Sequence, residues 1–311
     1  MFRIAAAAFA LALSLTPAAA ADRLTVLLDW FVNPDHAPLI VAKQGGFFEK
    51  HDLDVELVEP ADPNAPPKLV AAGQGDIAVT YQPSLYLQVQ EGLPLKRIGG
   101  IVDTPLNCLA VLADGPIETV ADLKGKKIGY SISGFEDALL GVMLENNGLK
   151  ASDVEMINVN FALTQALMSK QADAVIGAFR NFEMTQIRIA GGAGKAFFPE
   201  EHGVPLYDEL IYVTQSDKVS DPRIRKFLDA VQEATIHLLN HPDESWKMFI
   251  AAYPKLDDEL NKTAWTDTLP RFAKTPAALD RVRYDRFGDF MLERGLIRSK
   301  PDLDTYTAEI R

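Results

Sequence analysis

The amino-acid sequence predicts an α/β protein made of two related lobes. Short apolar strand segments alternate with amphipathic helical ones, the pattern of βαβ units. The same order of elements then recurs further along, with Asp54 and Asp153 99 residues apart and Asp76 and Asp173 97 apart. No low-complexity tract or long linker divides the halves, so the chain is expected to cross between lobes more than once.

In the first unit, Leu24–Leu28 reads as a strand and Ala37–Phe48 as a helix closed near Gly45-Gly46. Val55–Val58 follows as a strand, Pro67–Ala72 as a helix and Asp76–Thr80 as a strand. Ser84–Gln90 reads as a helix ended by Gly92, and Arg97–Val102 as a strand. In the second unit, Lys127–Tyr130 is a strand, Asp137–Asn146 a helix stopped near Gly148, and Val154–Val159 a strand. Leu163–Ser169 then reads as a helix and Asp173–Ile176 as a strand. Strands joined by helices predict parallel sheets with right-handed crossovers. After the strand Glu209–Thr214 the chain is helical, over 221–240, Asp243–Ala252, Asp257–Leu269 and Ala277–Arg294. The expected division is 22–108 plus 208–311 for lobe 1 and 109–207 for lobe 2.

Residues 1–20 read as a secretory signal. Arg3 precedes the uncharged run from Ile4 to Leu15, and the small residues Pro17 to Ala21 supply an A-x-A cleavage site. The run is well short of the ~20 residues of a membrane-spanning helix. No cysteine stands at the cleavage site for a lipid anchor, so the expected location is the periplasm, as a free, soluble protein.

The composition excludes several classes. With 31 Lys+Arg against 43 Asp+Glu the net charge is −12, which repels nucleic acid and anionic lipid. Cys108 is the sole cysteine, so no intrachain disulfide forms, and its apolar surroundings predict a buried thiol. There is no P-loop, no dinucleotide-binding glycine motif after a strand, no H-E-x-x-H and no G-x-S-x-G elbow. His237 and His241 share a helix face but have no third ligand in view. No cofactor or metal site is expected.

In parallel α/β sheets, ligands bind beyond the carboxyl ends of the strands. The loops there carry Asp29, Trp30, Asn33, Asp35 and His36 after the first strand, Glu59 after the second and Tyr81 after the third. The second unit supplies Ser131 with Glu136, then Asn160, then Phe179, Arg180, Asn181, Phe182 and Glu183. Aromatic faces with carboxylates and amides suit a flat, neutral or weakly basic heterocycle with N–H donors. They suit an anion poorly, because anion sites favour helix starts rich in Ser, Thr or Gly, and Glu136 opens the relevant helix. The candidate ligand-binding residues are therefore Asp29, Trp30, Asn33, His36, Glu59, Tyr81, Ser131, Glu136, Asn160, Phe179, Asn181 and Glu183.

The same loops carry a family resemblance. Leu28-Asp29-Trp30-x-x-Asn33-x-x-His36, followed by Ala42-x-x-x-Gly46-Phe47-Phe48, resembles the thiamine-pyrimidine binding and synthesis family. So do Val58-Glu59-Pro60-Ala61-Asp62-Pro63-Asn64, Leu69-Val70-Ala71-Ala72-Gly73-x-x-Asp76, Tyr81-Gln82-Pro83 and the stretch Gly177 to Glu183. The similarity runs from Leu24 to Ala252. It implies a two-lobed periplasmic-binding-protein type II fold with the ligand cleft between the lobes. It implies a monomer that captures a formylaminopyrimidine-like thiamine precursor, an aminopyrimidine, and hands it to an ABC permease in the inner membrane. Stacking on Trp30, Tyr81 and Phe179 is implied, with polar contacts from Asn33, His36, Glu59, Asn181 and Glu183. Fungal members are pyrimidine synthases that consume an active-site histidine, use pyridoxal phosphate and carry a cysteine-rich segment. His36 falls where that histidine stands, but the cysteine cluster is missing, and the chain is expected to be no enzyme. Phe179 and Phe182 depart from the Tyr and His typical of bacterial members, so riboflavin or another small heterocycle stays open as the ligand.

Overall fold

The computed structural model describes residues 21–310, so the expected signal segment 1–20 lies outside the described residues. In chain order the strands are β1 (Asp22–Leu27), β2 (Leu53–Val58), β3 (Ile77–Thr80), β4 (Leu95–Val102) and β5 (Asn107–Leu112). They continue as β6 (Lys127–Tyr130), β7 (Glu155–Asn158), β8 (Ala174–Phe179), β9 (Gly194–Phe197) and β10 (Leu210–Gln215). The helices are α1 (Ala37–Gln44), α2 (Phe47–Lys50), α3 (Pro66–Ala71), α4 (Gln82–Gln90), α5 (Phe135–Asn146) and α6 (Leu163–Met168). They are followed by α7 (Glu183–Ile189), α8 (Pro222–Asn240), α9 (Pro242–Ala252), α10 (Glu259–Thr268), α11 (Arg281–Glu293) and α12 (Leu303–Tyr306).

Two five-stranded sheets organise the chain, in the orders β2-β1-β3-β10-β4 and β7-β6-β8-β5-β9. The orders are equivalent: β1, β2 and β3 occupy the places that β6, β7 and β8 occupy in the second sheet. The internal repeat has a direct counterpart in hydrogen bonds. Asp76 Oδ2 accepts the Thr25 N–H at 2.8 Å, and Asp173 Oδ2 accepts the Lys127 N–H at 2.8 Å. Each carboxylate thus clips the segment before the third strand of its unit to the backbone of the first.

The sheets are mixed, not parallel as expected. β1 pairs in parallel with β2 and β3, and β6 with β7 and β8. β10, however, lies antiparallel between β3 and β4, and β5 antiparallel between β8 and β9. The reason is connectivity. β5 and β10 are the strands by which the chain enters each sheet from the other, and they are not fed by a helical crossover. The chain leaves the first sheet after Val102 and enters the second at Asn107, so the expected division after residue 108 falls inside β5.

Three further differences are local. Gly46 takes φ +73, which breaks the expected helix Ala37–Phe48 into α1 and α2. β9 and α7 were not expected, because the short Gly-Lys-Ala-Phe edge strand carries no clear alternation and Glu183 stands inside what reads as a loop. α11 starts at Arg281, where Asp280 accepts the Arg283 N–H, and not at residue 277.

The second sheet is buried on both faces, and β5 shows it by alternation: Cys108 and Ala110 pack to one side, Leu109 and Val111 to the other. Cys108 is fully buried, and burial pushes its thiol well up from its ordinary range. The first sheet is flanked by α8, whose Ile224, Phe227, Leu228, Val231 and Leu238 form its buried stripe below an Asp221 cap.

Candidate functional site

A pocket with about 450 Å³ of space free of protein atoms lies between the two sheets, beyond the carboxyl ends of β1, β3 and β8. Its walls come from both sides: Asp29, Trp30, Asn33, Asp35, His36 and Tyr81 from the first lobe, Glu136, Leu163, Gly177, Phe179, Phe182 and Glu183 from the second, with Leu210 at the base. Eight of these are expected site residues on loops that follow strands or on helix starts; Glu136 sits in the first turn of α5.

Asp29 organises the first-lobe wall. Its Oδ1 lies 2.9 Å from His36 Nε2, and its Oδ2 accepts the Tyr81 hydroxyl at 2.9 Å. His36 is fully buried, and its Nδ1 accepts the Asn33 N–H at 3.4 Å, which leaves the ring hydrogen on Nε2, directed at Asp29. Asn33 caps the turn at Pro34–His36: its Oδ1 accepts the Asp35 N–H at 2.8 Å. This compact local network joins Asp29, Asn33 and His36, which stand within eight residues of one another.

Aromatic rings form the remaining faces. Tyr81 stacks on Phe135 at 5.1 Å and meets Phe179 edge-on at 6.5 Å. Trp30 is half-buried and contacts Phe161 of the opposite lobe at 4.6 Å, edge to face.

The electrostatics are one-sided. Four carboxyl groups, those of Asp29, Asp35, Glu136 and Glu183, line the pocket with His36, and no Lys or Arg does. Burial is the main cause of three upward shifts. It pushes Glu136 up to about 8 against the hydrogen bonds from the Ser131 and Ile132 amides. It pushes Glu183 up to about 7 against the Phe179 amide, and Asp35 up to about 6 against the Thr268 hydroxyl. The site is thus supplied with carboxyls that exchange between donor and acceptor near neutral pH.

The other expected residues lie outside the lining. Glu59 is exposed, and its Oε1 accepts the Val32 N–H at 2.6 Å. Ser131 donates its amide to Glu136 Oε2 at 2.7 Å and its hydroxyl to the Asn160 carbonyl. Asn160 is exposed at φ +52, so it contributes its backbone. Asn181 is buried and donates from Nδ2 to Asp35 Oδ1 and to Thr268 Oγ1, both at 2.7 Å, tying the second lobe to the first. These four contact neighbours of the pocket through the bonds just named, while the buried Asn181 Oδ1 has no hydrogen-bond partner among the described residues.

Asp35, Phe182, Leu163, Gly177 and Leu210 were not among the candidates. Asp35 and Phe182 stood inside loops already read as site loops, and nothing distinguished them. Gly177 carries a signal only in three dimensions. It holds φ +96, and a β-carbon there would lie 2.2 Å from Glu136 Oε1. Thr268, which holds Asp35, is remote in sequence and had no signal.

Residues 33–245 match the family described as NMT1/THI5 like. The chain belongs to this family. Within it, a Haemophilus influenzae protein named as a thiamine biosynthesis protein is 51% identical, over 97% of each chain. The formylaminopyrimidine-binding protein of Halalkalibacterium halodurans is 31% identical, over 74% of this chain and 71% of its own. A Legionella pneumophila protein named 4-amino-5-hydroxymethyl-2-methylpyrimidine phosphate synthase is 27% identical, over 86% of this chain and 85% of its own. Among solved structures, the alkanesulfonate-binding protein of Xanthomonas axonopodis pv. citri superposes with a TM-score of 0.72 at 18% identity, covering 94% of this chain and 99% of that one. That likeness shows the fold, a two-lobed periplasmic-binding-protein fold with the cleft between the lobes.

Proposed function

We propose that this NMT1/THI5-like chain is the substrate-binding component of an ABC importer and captures an aminopyrimidine thiamine precursor by closing two lobes on it. The observation that carries the reading is the pocket: aromatic walls, four carboxyls, three of them pushed toward neutrality, and no cationic side chain. An aminopyrimidine presents a ring-nitrogen acceptor beside an exocyclic N–H donor. A protonated carboxyl answers both at once, donating from its O–H and accepting on its carbonyl. The flat ring stacks against Trp30 and the Tyr81–Phe179 corner. The formylaminopyrimidine-binding relative supports the same class of ligand.

The lobes proposed are 22–106 with 208–310, and 107–207, joined by the crossings at 103–106 and near Asp208. A ligand touching both lobes favours the closed state and presents it to a permease. Residues 1–20 would direct export, which places the mature protein in the periplasm.

His36 bears on the alternative of a pyrimidine synthase. Both of its ring nitrogens are engaged, one by Asp29 and one by the Asn33 amide, and its side chain is fully buried. That supports a positioning role for the ring and not consumption as a substrate.

Calorimetric titration of refolded, ligand-free protein tests the reading, against hydroxymethylpyrimidine, formylaminopyrimidine, thiamine, riboflavin and taurine. Saturable 1:1 binding of a pyrimidine alone is expected. Binding of riboflavin or taurine in its place would overturn the ligand class and leave the transporter class standing.

A further inference from the structure

A second chamber, with about 780 Å³ of space free of protein atoms, adjoins the first and shares the side chains of Asp29 and Tyr81 with it as a common wall. Its other walls are α3, β3 and α4 on the first lobe and residues 132–134 on the second. Asn64 bridges the lobes at its edge. Asn64 Nδ2 donates to the Ser131 carbonyl at 3.0 Å, and its Oδ1 accepts the Ser133 N–H at 3.0 Å. The chamber is therefore enclosed only when the lobes are together.

Two buried side-chain polar atoms in this chamber have no protein partner among the described residues. Ser84, on α4, is only 4% exposed, and its hydroxyl makes no hydrogen bond. One turn further on, Gln88 buries its side-chain oxygen with none either. Residues 84 and 88 are four apart on one helix, so both face the same space. A buried polar group left unpaired opposes folding, and such groups persist where something other than the protein satisfies them.

We propose that this chamber is a second subsite of the cleft, in which Ser84 and Gln88 hold a carboxamide-bearing arm of the ligand's ring. The inference rests on the reading of the first pocket as an aminopyrimidine site. The Gln88 oxygen can only accept, so the occupant must bring an N–H or O–H donor; the Ser84 hydroxyl is free to donate to a carbonyl. A short amide supplies both on adjacent atoms. A negatively charged arm fits less well, because the carboxylates of Asp29 and Glu91 border the chamber and Lys68 is its one cation. The two residues then decide which substituted pyrimidine is taken, while the first pocket recognises the ring.

The test compares two probes by calorimetry on the full mature protein: 4-amino-5-(formamidomethyl)-2-methylpyrimidine, which carries the arm, and 4-amino-2,5-dimethylpyrimidine, which lacks it. The wild-type protein is expected to prefer the armed probe, and Ser84→Ala and Gln88→Leu each to reduce that preference by about tenfold. Neither variant is expected to lower the melting temperature of the ligand-free protein, because each removes a polar group that has no partner there. Equal wild-type affinity for both probes overturns the subsite alone, as does an unchanged preference in the variants, including a parallel loss for both probes. Binding of neither probe by the wild-type protein overturns the aminopyrimidine reading and the subsite with it.

Discussion

The Glu136 carboxyl and Gly177 meet so closely that a single β-carbon at Gly177 would stand 2.2 Å from Glu136 Oε1. Gly177 lies within β8 and Glu136 opens α5, so the pocket carboxyl is seated against bare backbone of the neighbouring strand. Gly177→Ala meets both the clash and a φ of +96. It is expected to destabilise the protein by about 2 kcal/mol or more and to weaken ligand binding through displacement of Glu136. Urea unfolding and calorimetry check this; a variant as stable as the wild type would show that Glu136 has room elsewhere.

Glu136 itself is expected to act mainly in its protonated form at neutral pH, since burial pushes it up to about 8. Glu136→Gln keeps an oxygen for the Ser131 N–H and a donor for the ligand. It should bind within about threefold of wild type at pH 7. Between pH 7 and pH 9 the wild type should lose affinity as Glu136 ionises, and the Gln variant should lose less. A parallel decline in both proteins would assign the pH dependence to another group.

Stability should fall as pH rises. Asp35 titrates near 6, Glu183 and Glu209 near 7 and Glu136 near 8 in the folded protein, all raised by burial. Their folded-state values lie above the ordinary carboxyl range of about 4. Their stabilising contribution is therefore complete below that range and is lost as pH climbs through 6 to 8. The ligand-free protein should melt a few degrees higher at pH 5 than at pH 8.5, as calorimetric scans would show. A higher melting temperature at pH 8.5 would mean that these carboxyls are ionised and paired in the folded state.

Trp30→Ala should cost binding without costing the fold. The ring is half-buried at the pocket and packs edge-on against Phe161 and Phe31. Loss of one stacking face should weaken binding of a pyrimidine about 10- to 100-fold. Near-wild-type affinity together with an unchanged circular dichroism spectrum would remove Trp30 from the site.

Asp29→Ala should do the reverse and lower stability first. It strips the acceptor from both the Tyr81 hydroxyl and His36 Nε2, in a place where both side chains are buried. The expected cost is about 2 kcal/mol or more, measured by chemical unfolding. Unaltered stability would mean that water reaches both groups.

Much of the site was legible because it is local. Asp29, Asn33 and His36 hold one another through hydrogen bonds between near neighbours in the chain, so their spacing carries their geometry. Tyr81, Phe179 and Glu183 stand where strands end, and strand ends were legible from apolar runs. Glu59, Asn160 and Asn181 show the opposite case. Each lies near a strand end, yet each bonds to another part of the protein, Asn160 through its carbonyl, and that depends on which loops approach them. A residue type and position could not say which of its polar atoms other loops would engage.

The sequence by itself determined the α/β class, the two related units and the loops that line the pocket, since periodicity and turn residues report local backbone geometry and burial. The tertiary structure alone decided that β5 and β10 run antiparallel, that Asp35 is held by Thr268 from the far end of the chain, and that Gly177 makes room for Glu136. It also decided that three pocket carboxyls sit high in pKa. Each of these follows from which surfaces are pressed together and stripped of water, and residues that meet only after the chain has crossed between lobes twice carry no trace of that contact in their own neighbourhood.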